Sequence, residues 1–175
     1  MRSGVATNSK ASNGILARLS RDKSAEVRGA VAKSSHIPYE ISKVLASDSD
    51  WWVKESLATN DAVHGHILDS LAADKSNCIR ALIAGNPSTQ PATLARLMED
   101  PDPDVRAAVA INSNTPRNLL LVLASDPDIL VKTALAKLKD LEKEIVDALL
   151  LNSEGSVTKT LLSNWVIPVD RARRL

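Results

Sequence analysis

The chain has few aromatic residues, a single cysteine and no excess of either charge. Aromatic residues make up 2% of its 175 residues and Phe is absent, so a core must be built mainly from Ala, Val, Ile and Leu. Cys78 alone excludes an internal disulfide and fits a reducing compartment, so we expect a cytoplasmic protein. Lys and Arg number 22 against 21 Asp and Glu, and this balance argues against binding to nucleic acid or a membrane through bulk charge.

No apolar run approaches the ~20 residues that a bilayer-spanning helix needs. The N-terminus lacks the apolar segment of a signal peptide, so we expect no targeting segment.

The dominant feature is a repeat with a period of 26 residues and no insertion or deletion. Position 1 of each unit is apolar: Met1, Val27, Val53, Ile79, Val105, Val131 and Val157. Position 5 is also apolar, position 6 is Ala in six units, and position 19 is Leu in all seven. We therefore predict a single repeat domain over 1–175, with units that start at 1, 27, 53, 79, 105, 131 and 157.

Each unit is predicted to form two short helices. Helix A should start after an N-cap at position 24, which is Ser24, Asp50, Ser76, Asp102, Asp128 or Glu154. It should end near position 8, where Asn predominates and suggests closure in the left-handed conformation. Helix B should span positions 12 to 21 and bury positions 15, 16 and 19. The expected fold is an all-α solenoid, because two short helices bury both faces only by stacking on neighbouring units. The sequence does not separate α from 3₁₀ geometry in such short helices.

One unit carries a recognisable family motif. Its residues are Val105, Arg106, Val109, Ala110, Asn112, Thr115, Pro116, Leu119, Leu123, Ala124, Asp126 and Asp128. The pattern resembles the leucine-rich-repeat variant family, and the resemblance covers nearly the whole chain. It implies a right-handed superhelix of alternating α- and 3₁₀-helices, akin to HEAT repeats. The period here is about two residues longer than is usual in that family, which favours two α-helices per unit.

The resemblance brings no catalytic motif. A family member carries a cysteine-ligated iron–sulfur segment, but this chain has only Cys78, so we expect no cofactor.

Acidic and basic residues recur in register. The expected structural ladder comprises Asp22, Arg28, Asp48, Lys54, Asp74, Arg80, Asp100, Arg106, Asp126 and Lys132. Each Asp precedes the next base by six residues, and where the Asp becomes Asn152 the base becomes Thr158, so we predict pairing across six residues. The alternative is a row of bases that tracks phosphates, but paired bases leave little positive field.

Residues that depart from the repeat are the candidates for partner binding. Trp51 and Trp52 occupy a helix start where other units mostly have small or polar residues. The candidate partner-binding residues are Trp51, Trp52, Tyr39, Lys43, Glu55, His64 and His66. His36, His64 and His66 could suggest a metal site, but the two-residue spacing of the last two does not place them on one helix face, so we expect no metal.

The two ends and the sixth unit also depart from the pattern. Arg171, Ala172 and Arg174 replace core residues and predict a polar C-terminal cap. Unit one keeps Val5 and Ile15 without a cap, so we expect self-association, a missing segment or a partner domain to cover it. In unit six Leu138 replaces the Asn, which predicts a shifted turn or longer helices.

Three functional hypotheses follow. The leading one is a non-enzymatic scaffold that binds another protein across a variable exposed face. The second is a HEAT-like nucleic-acid-binding or DNA base-processing protein. The third is the repeat part of an iron–sulfur redox protein that lacks its cluster segment. No Gly-rich phosphate loop and no Ser–His–Asp signature is present in the sequence, and nothing orients a base toward Cys78.

Overall fold

The computed structural model describes residues 2–8, 10–152 and 155–164, which form thirteen α-helices and no strand. The first helices of the units, here called A helices, are α1 (Arg2–Ala6), α3 (Ala25–Ala32), α5 (Trp51–Ala58), α7 (Asn77–Gly85), α9 (Pro103–Ile111), α11 (Ile129–Ala136) and α13 (Gly155–Asn164). The second, or B, helices are α2 (Asn13–Leu19), α4 (Tyr39–Ala46), α6 (Gly65–Leu71), α8 (Pro91–Leu97), α10 (Arg117–Leu123) and α12 (Lys143–Leu151). The expected all-α solenoid is confirmed, and both described helices of each unit are α-helical.

The A helices begin where the capping residues predict. Asp50, Asp102 and Asp128 are N-caps whose side chains accept a hydrogen bond from the backbone N–H two residues later. Ser24 and Ser76 occupy the same position without a side-chain hydrogen bond. Three of the five described caps therefore use the predicted side-chain mechanism.

Apolar columns of the repeat form one continuous core between the two layers of helices. At position 5, the side chains of Val31, Leu57, Ile83, Val109 and Leu135 are fully buried. At position 6, every Ala from Ala6 to Ala136 is also fully buried. Small side chains at this position let successive A helices approach closely, and these helices contact one another along the length of the stack.

The A helices do not end in the way that the Asn residues suggested. Asn86 and Asn112 have extended backbones, with φ of −72° and −73° and ψ of 127° and 128°. The prediction of left-handed closure by Asn is therefore wrong. Among the described residues other than glycine, Asp140 alone has positive φ, at 59°. The physical role of the Asn side chains is a contact between units.

Unit six is irregular, as Leu138 indicated. Its turn contains Asp140, and its B helix α12 has nine residues where most other B helices have seven. Leu138 is partly buried against the core instead of making the polar contacts of an Asn. A longer second helix in this unit is thus confirmed.

The two ends differ in how much of them is described. Val5 and Ile15 are each 42% exposed, whereas Val31 and Ile41 at the same positions of unit two are buried. The predicted C-terminal cap at Arg171, Ala172 and Arg174 lies outside the described residues. Within the described part of the chain, no helix combines the length and the apolar character needed to cross a membrane.

Candidate functional site

The acidic and basic columns form a ladder whose pairing differs from the prediction. The side chain of Arg28 donates two hydrogen bonds to the carboxylate of Asp48, twenty residues later, at 2.6 and 2.9 Å. It also donates to the backbone carbonyl of Asp22, six residues earlier, at 2.8 Å. The six-residue spacing therefore gives a main-chain contact, and the carboxylate partner lies twenty residues ahead.

The same arrangement repeats along the chain. The ion pairs are Arg2 with Asp22, Arg28 with Asp48, Lys54 with Asp74, Arg80 with Asp100, and Arg106 with Asp126. Arg28, Arg80 and Arg106 bind their carboxylates through two nitrogens, whereas Lys54 uses its single ammonium at 2.5 Å. In unit six the ladder loses its carboxylate, and Lys132 donates to the backbone carbonyl of Asn152 at 2.9 Å.

The ladder shifts the ionisation of its members. The hydrogen bond from Arg28 lowers the pKa of Asp48, and the hydrogen bond from Arg80 lowers the pKa of Asp100. Burial opposes ionisation of Asp74, but hydrogen bonds from Lys54 and a backbone N–H outweigh it and lower the pKa of Asp74. The described bases of the ladder other than Lys132 are thus bound to carboxylates and leave little free positive charge for phosphates.

Asn at position 8 links each unit to the one before it. The side-chain amide of Asn112 donates to the carbonyls of Ala84 and Asn86 at 2.6 and 2.9 Å. Its side-chain oxygen accepts from the backbone N–H of Asn114 at 2.8 Å. Asn60 and Asn86 make equivalent bonds to the units before them. These buried amides satisfy carbonyls that helix ends leave without an intrahelical partner.

Trp51 and Trp52 form an exposed aromatic pair at the start of α5. Their rings meet edge to face with centroids 6.1 Å apart, and Trp51 is 64% exposed while Trp52 is 40% exposed. Trp52 rests on α3, where a Cβ added to Gly29 would lie only 2.8 Å from the indole nitrogen. The Nζ atom of Lys33 lies 4.4 Å from the centroid of the Trp52 ring, in a cation–π contact. Trp52 is therefore held in a defined position by the neighbouring unit, and Trp51 lies beside it with most of its side chain exposed.

A groove beside Trp52 has polar walls. It is lined by Lys33, Trp52, Glu55, Ser56 and Thr59, and we call it the tryptophan groove. The Oε2 atom of Glu55 and the Oγ atom of Ser56 are shielded from solvent and have no hydrogen-bond partner. A buried polar atom without a partner costs about 1–3 kcal/mol. A ligand that displaces the side chains covering these two atoms would supply the missing hydrogen bonds.

The remaining candidate residues lie in the layer of B helices or in the turns before them. Tyr39 at the start of α4 meets His64 edge to face, with ring centroids 5.7 Å apart. Lys43 on α4 and His66 on α6 are exposed. The structure therefore brings Trp51, Trp52 and Glu55 together on α5, and it forms a separate Tyr39–His64 pair.

The histidines do not assemble into a metal site. The Nε2 atom of His36 lies 3.1 Å from the carbonyl oxygen of Ala11. Among the described residues, no group of three or more His, Cys, Asp or Glu side chains could hold a metal ion. Cys78 is exposed at the start of α7.

Sequence reasoning missed three residues of this region: Gly29, Lys33 and Ser56. A signal was present, because Gly29 removes a Cβ in the unit next to the one that gains Trp52. A comparison of the residues that break the repeat in neighbouring units would have identified Gly29 and Trp52 as a candidate contact.

Comparisons with known proteins agree with this architecture. A family model described as leucine rich repeat variant matches residues 103–128. A solved structure described as "a leucine-rich repeat variant with a novel repetitive protein structural motif" aligns with 93% of this chain and 69% of its own, at 26% identity and a TM-score of 0.58. No curated protein matches the chain. The expected resemblance is thus confirmed: the chain is a helical-repeat protein whose unit at residues 103–128 matches the leucine-rich repeat variant family.

Proposed function

We propose that this chain is a non-enzymatic scaffold that binds another protein through the A-helix surface around Trp51 and Trp52. The observation that carries the proposal is the exposure of both indoles on an ordered helix. Trp is among the residues that contribute most to binding energy at protein interfaces. Trp52 also loses little side-chain entropy on binding, because its packing against Gly29 and Lys33 already restricts it.

The charge distribution favours a protein over nucleic acid as the partner. The net charge is +1, and the described bases of the ladder other than Lys132 are bound to carboxylates. An interface that depends on phosphate contacts would need several free bases. Glu55 belongs to the proposed surface. Tyr39, Lys43, His64 and His66 stay as predicted contacts on the other layer.

The test is affinity capture with the full chain as bait. We expect a protein to be retained by the wild type and lost with Trp51→Ala/Trp52→Ala. The matched control is Ile129→Ala/Leu130→Ala, which removes two apolar side chains, 44% and 43% exposed, from the same positions of a later unit. The retained protein should then be purified and titrated against all three baits, with circular dichroism to verify folding. Equal affinity for the wild type and the Trp variant, or retention of nucleic acid in place of protein, would overturn the proposal.

A further inference from the structure

The tryptophan groove has two solvent-shielded oxygen atoms without hydrogen bonds. Ser56 is only 1% exposed, it lines this groove and the depression next to it, and its Oγ has no hydrogen-bond partner. The Oε2 atom of Glu55 is also shielded and has no donor. Glu55 offers a carboxylate, which accepts hydrogen bonds and favours a positively charged donor. The missing component is therefore a cationic group with N–H donors.

The groove already holds a cation. Lys33 places its ammonium over the face of the Trp52 ring at 4.4 Å from the centroid. Lys33 is exposed, so its long side chain can move away into solvent. The ring would then present a free aromatic face beside the unpartnered carboxylate oxygen.

We propose that the tryptophan groove binds an arginine side chain of the protein partner. A guanidinium is planar, stacks on aromatic rings and carries five N–H donors in a rigid fork. It takes the place of Lys33 on Trp52 and donates to Oε2 of Glu55 and Oγ of Ser56. A lysine of the partner fits less well, because its ammonium is a strongly hydrated point charge that does not stack. This inference rests on the proposed function and specifies the chemistry of the partner.

The direct test is a titration of the full chain followed by ¹H–¹⁵N NMR. The probe is N-acetyl-L-arginine amide, and its matched control is N-acetyl-L-citrulline amide, which has the same shape without the charge. We expect arginine amide, and not citrulline amide, to shift the indole resonance of Trp52 and the backbone amides of Glu55 and Ser56. Equal shifts from both probes, or no shift from either, would overturn the inference.

Two substitutions connect the response to the groove. Glu55→Gln keeps the size of the side chain and removes its charge, and we expect it to weaken binding of arginine amide at least fivefold. Glu99→Gln is the control, because Glu99 is an exposed acidic residue that lines a different depression. A Glu55→Gln variant that is more stable but binds the probe as tightly as the wild type would assign Glu55 a purely structural role and overturn the inference.

Competition on the captured partner separates this inference from the proposed function. We expect arginine amide to displace the partner and Glu55→Gln to weaken its binding. A partner that requires Trp51 and Trp52 but is indifferent to Glu55→Gln would leave the scaffold proposal standing and overturn the arginine contact. If the partner binds the wild type and Trp51→Ala/Trp52→Ala equally well, the scaffold proposal is overturned. The titration with arginine amide then still tests whether the tryptophan groove binds a guanidinium.

Discussion

Asn112 shows how one residue can join two units of the stack. Its amide reaches back 26 and 28 residues to two carbonyls, and its oxygen holds the turn that follows. The hydrophobic contacts of the apolar columns stabilise the stack but are not directional, whereas these hydrogen bonds require defined distances and angles. The Asn column therefore sets the register between neighbouring units, in addition to the apolar contacts.

Replacement of Asn112 by Ala should destabilise the protein. The change removes three hydrogen bonds and leaves the buried carbonyl of Ala84 without a partner, whereas the carbonyl of Asn86 keeps its hydrogen bond from the backbone N–H of Thr89. We therefore expect the free energy of unfolding to fall by about 1–3 kcal/mol. Asn118→Ala is the control, because Asn118 is exposed on α10 and should change stability by less than about 0.5 kcal/mol. Urea unfolding followed by circular dichroism measures both. Equal stabilities of the two variants would refute this role for Asn112.

The sequence predicts which residues belong to the ladder more easily than it predicts their partners. Four of the bases lie six residues after one Asp and twenty residues before the next, so the spacing alone fits both pairings: Arg28, Lys54, Arg80 and Arg106. Asn152 replaces the Asp and Thr158 replaces the base six residues later, and this joint replacement favoured the shorter spacing. Lys132, however, lies twenty residues before Asn152 and is still a base, which donates to the backbone carbonyl of Asn152. The direction in which Arg28 points follows from the packing of α3 beside the turn after α4, and that geometry is absent from a linear pattern.

The helices themselves were largely predictable, since caps and apolar spacing are local signals. The contact between Gly29 of α3 and Trp52 of α5 was not, because it depends on two departures from the repeat in different units. Gly29 provides the space, and Trp52 fills it. This pair of helices is thus specialised where the other A helices follow the common pattern.

A methyl group on α3 should disturb this contact. In Gly29→Ala the new Cβ would lie 2.8 and 2.9 Å from two atoms of the Trp52 ring, so the ring must move away from α3 and from Lys33. We expect the indole ¹H–¹⁵N resonance of Trp52 to shift and the binding of arginine amide to weaken.

Gly85→Ala provides the matched control, because its Cβ would meet no atom within 4 Å on α7. It should leave the Trp52 resonance unchanged and stabilise the protein by at most about 0.5 kcal/mol, because Gly85 is the last residue of α7 and the full helix-propensity gain applies to helix interiors. In Gly29→Ala the stabilisation from helix propensity should be offset by the displacement of the Trp52 ring. Thermal unfolding of both variants measures this difference in stability. An unmoved Trp52 resonance in Gly29→Ala would contradict the packing described here.

On the scale of the whole molecule, the ladder couples the stacked units electrostatically. Each internal Asp binds the base twenty residues before it through its carboxylate, and it accepts a hydrogen bond from a backbone N–H two residues later. Three of these Asp residues also accept a hydrogen bond through their main-chain carbonyl from the Arg six residues later: Asp22 from Arg28, Asp74 from Arg80, and Asp100 from Arg106. Protonation of one carboxylate therefore weakens contacts on both sides of a turn.

The ladder makes stability dependent on pH in the acidic range. The pKa values of Asp48, Asp74 and Asp100 are lowered in the folded state, so the unfolded chain binds protons more readily than the folded one. The stabilisation is complete above the unfolded Asp pKa of about 3.9 and is lost as the pH falls through the lower folded values. We expect the free energy of unfolding to change little between pH 7 and about pH 5 and to fall steeply below about pH 4.

Removal of one ladder carboxylate tests the origin of this dependence. Asp100→Asn should destabilise the protein by about 2–3 kcal/mol at pH 7, because Arg80 loses a charged partner that is largely buried. The difference from the wild type should shrink toward pH 3, where Asp100 of the wild type also becomes protonated. Asp104→Asn, which changes an exposed Asp outside the ladder, should leave the pH profile unchanged. Urea unfolding at pH 7, 5, 4 and 3 gives these values, and a constant gap between Asp100→Asn and the wild type would show that the acid sensitivity arises elsewhere.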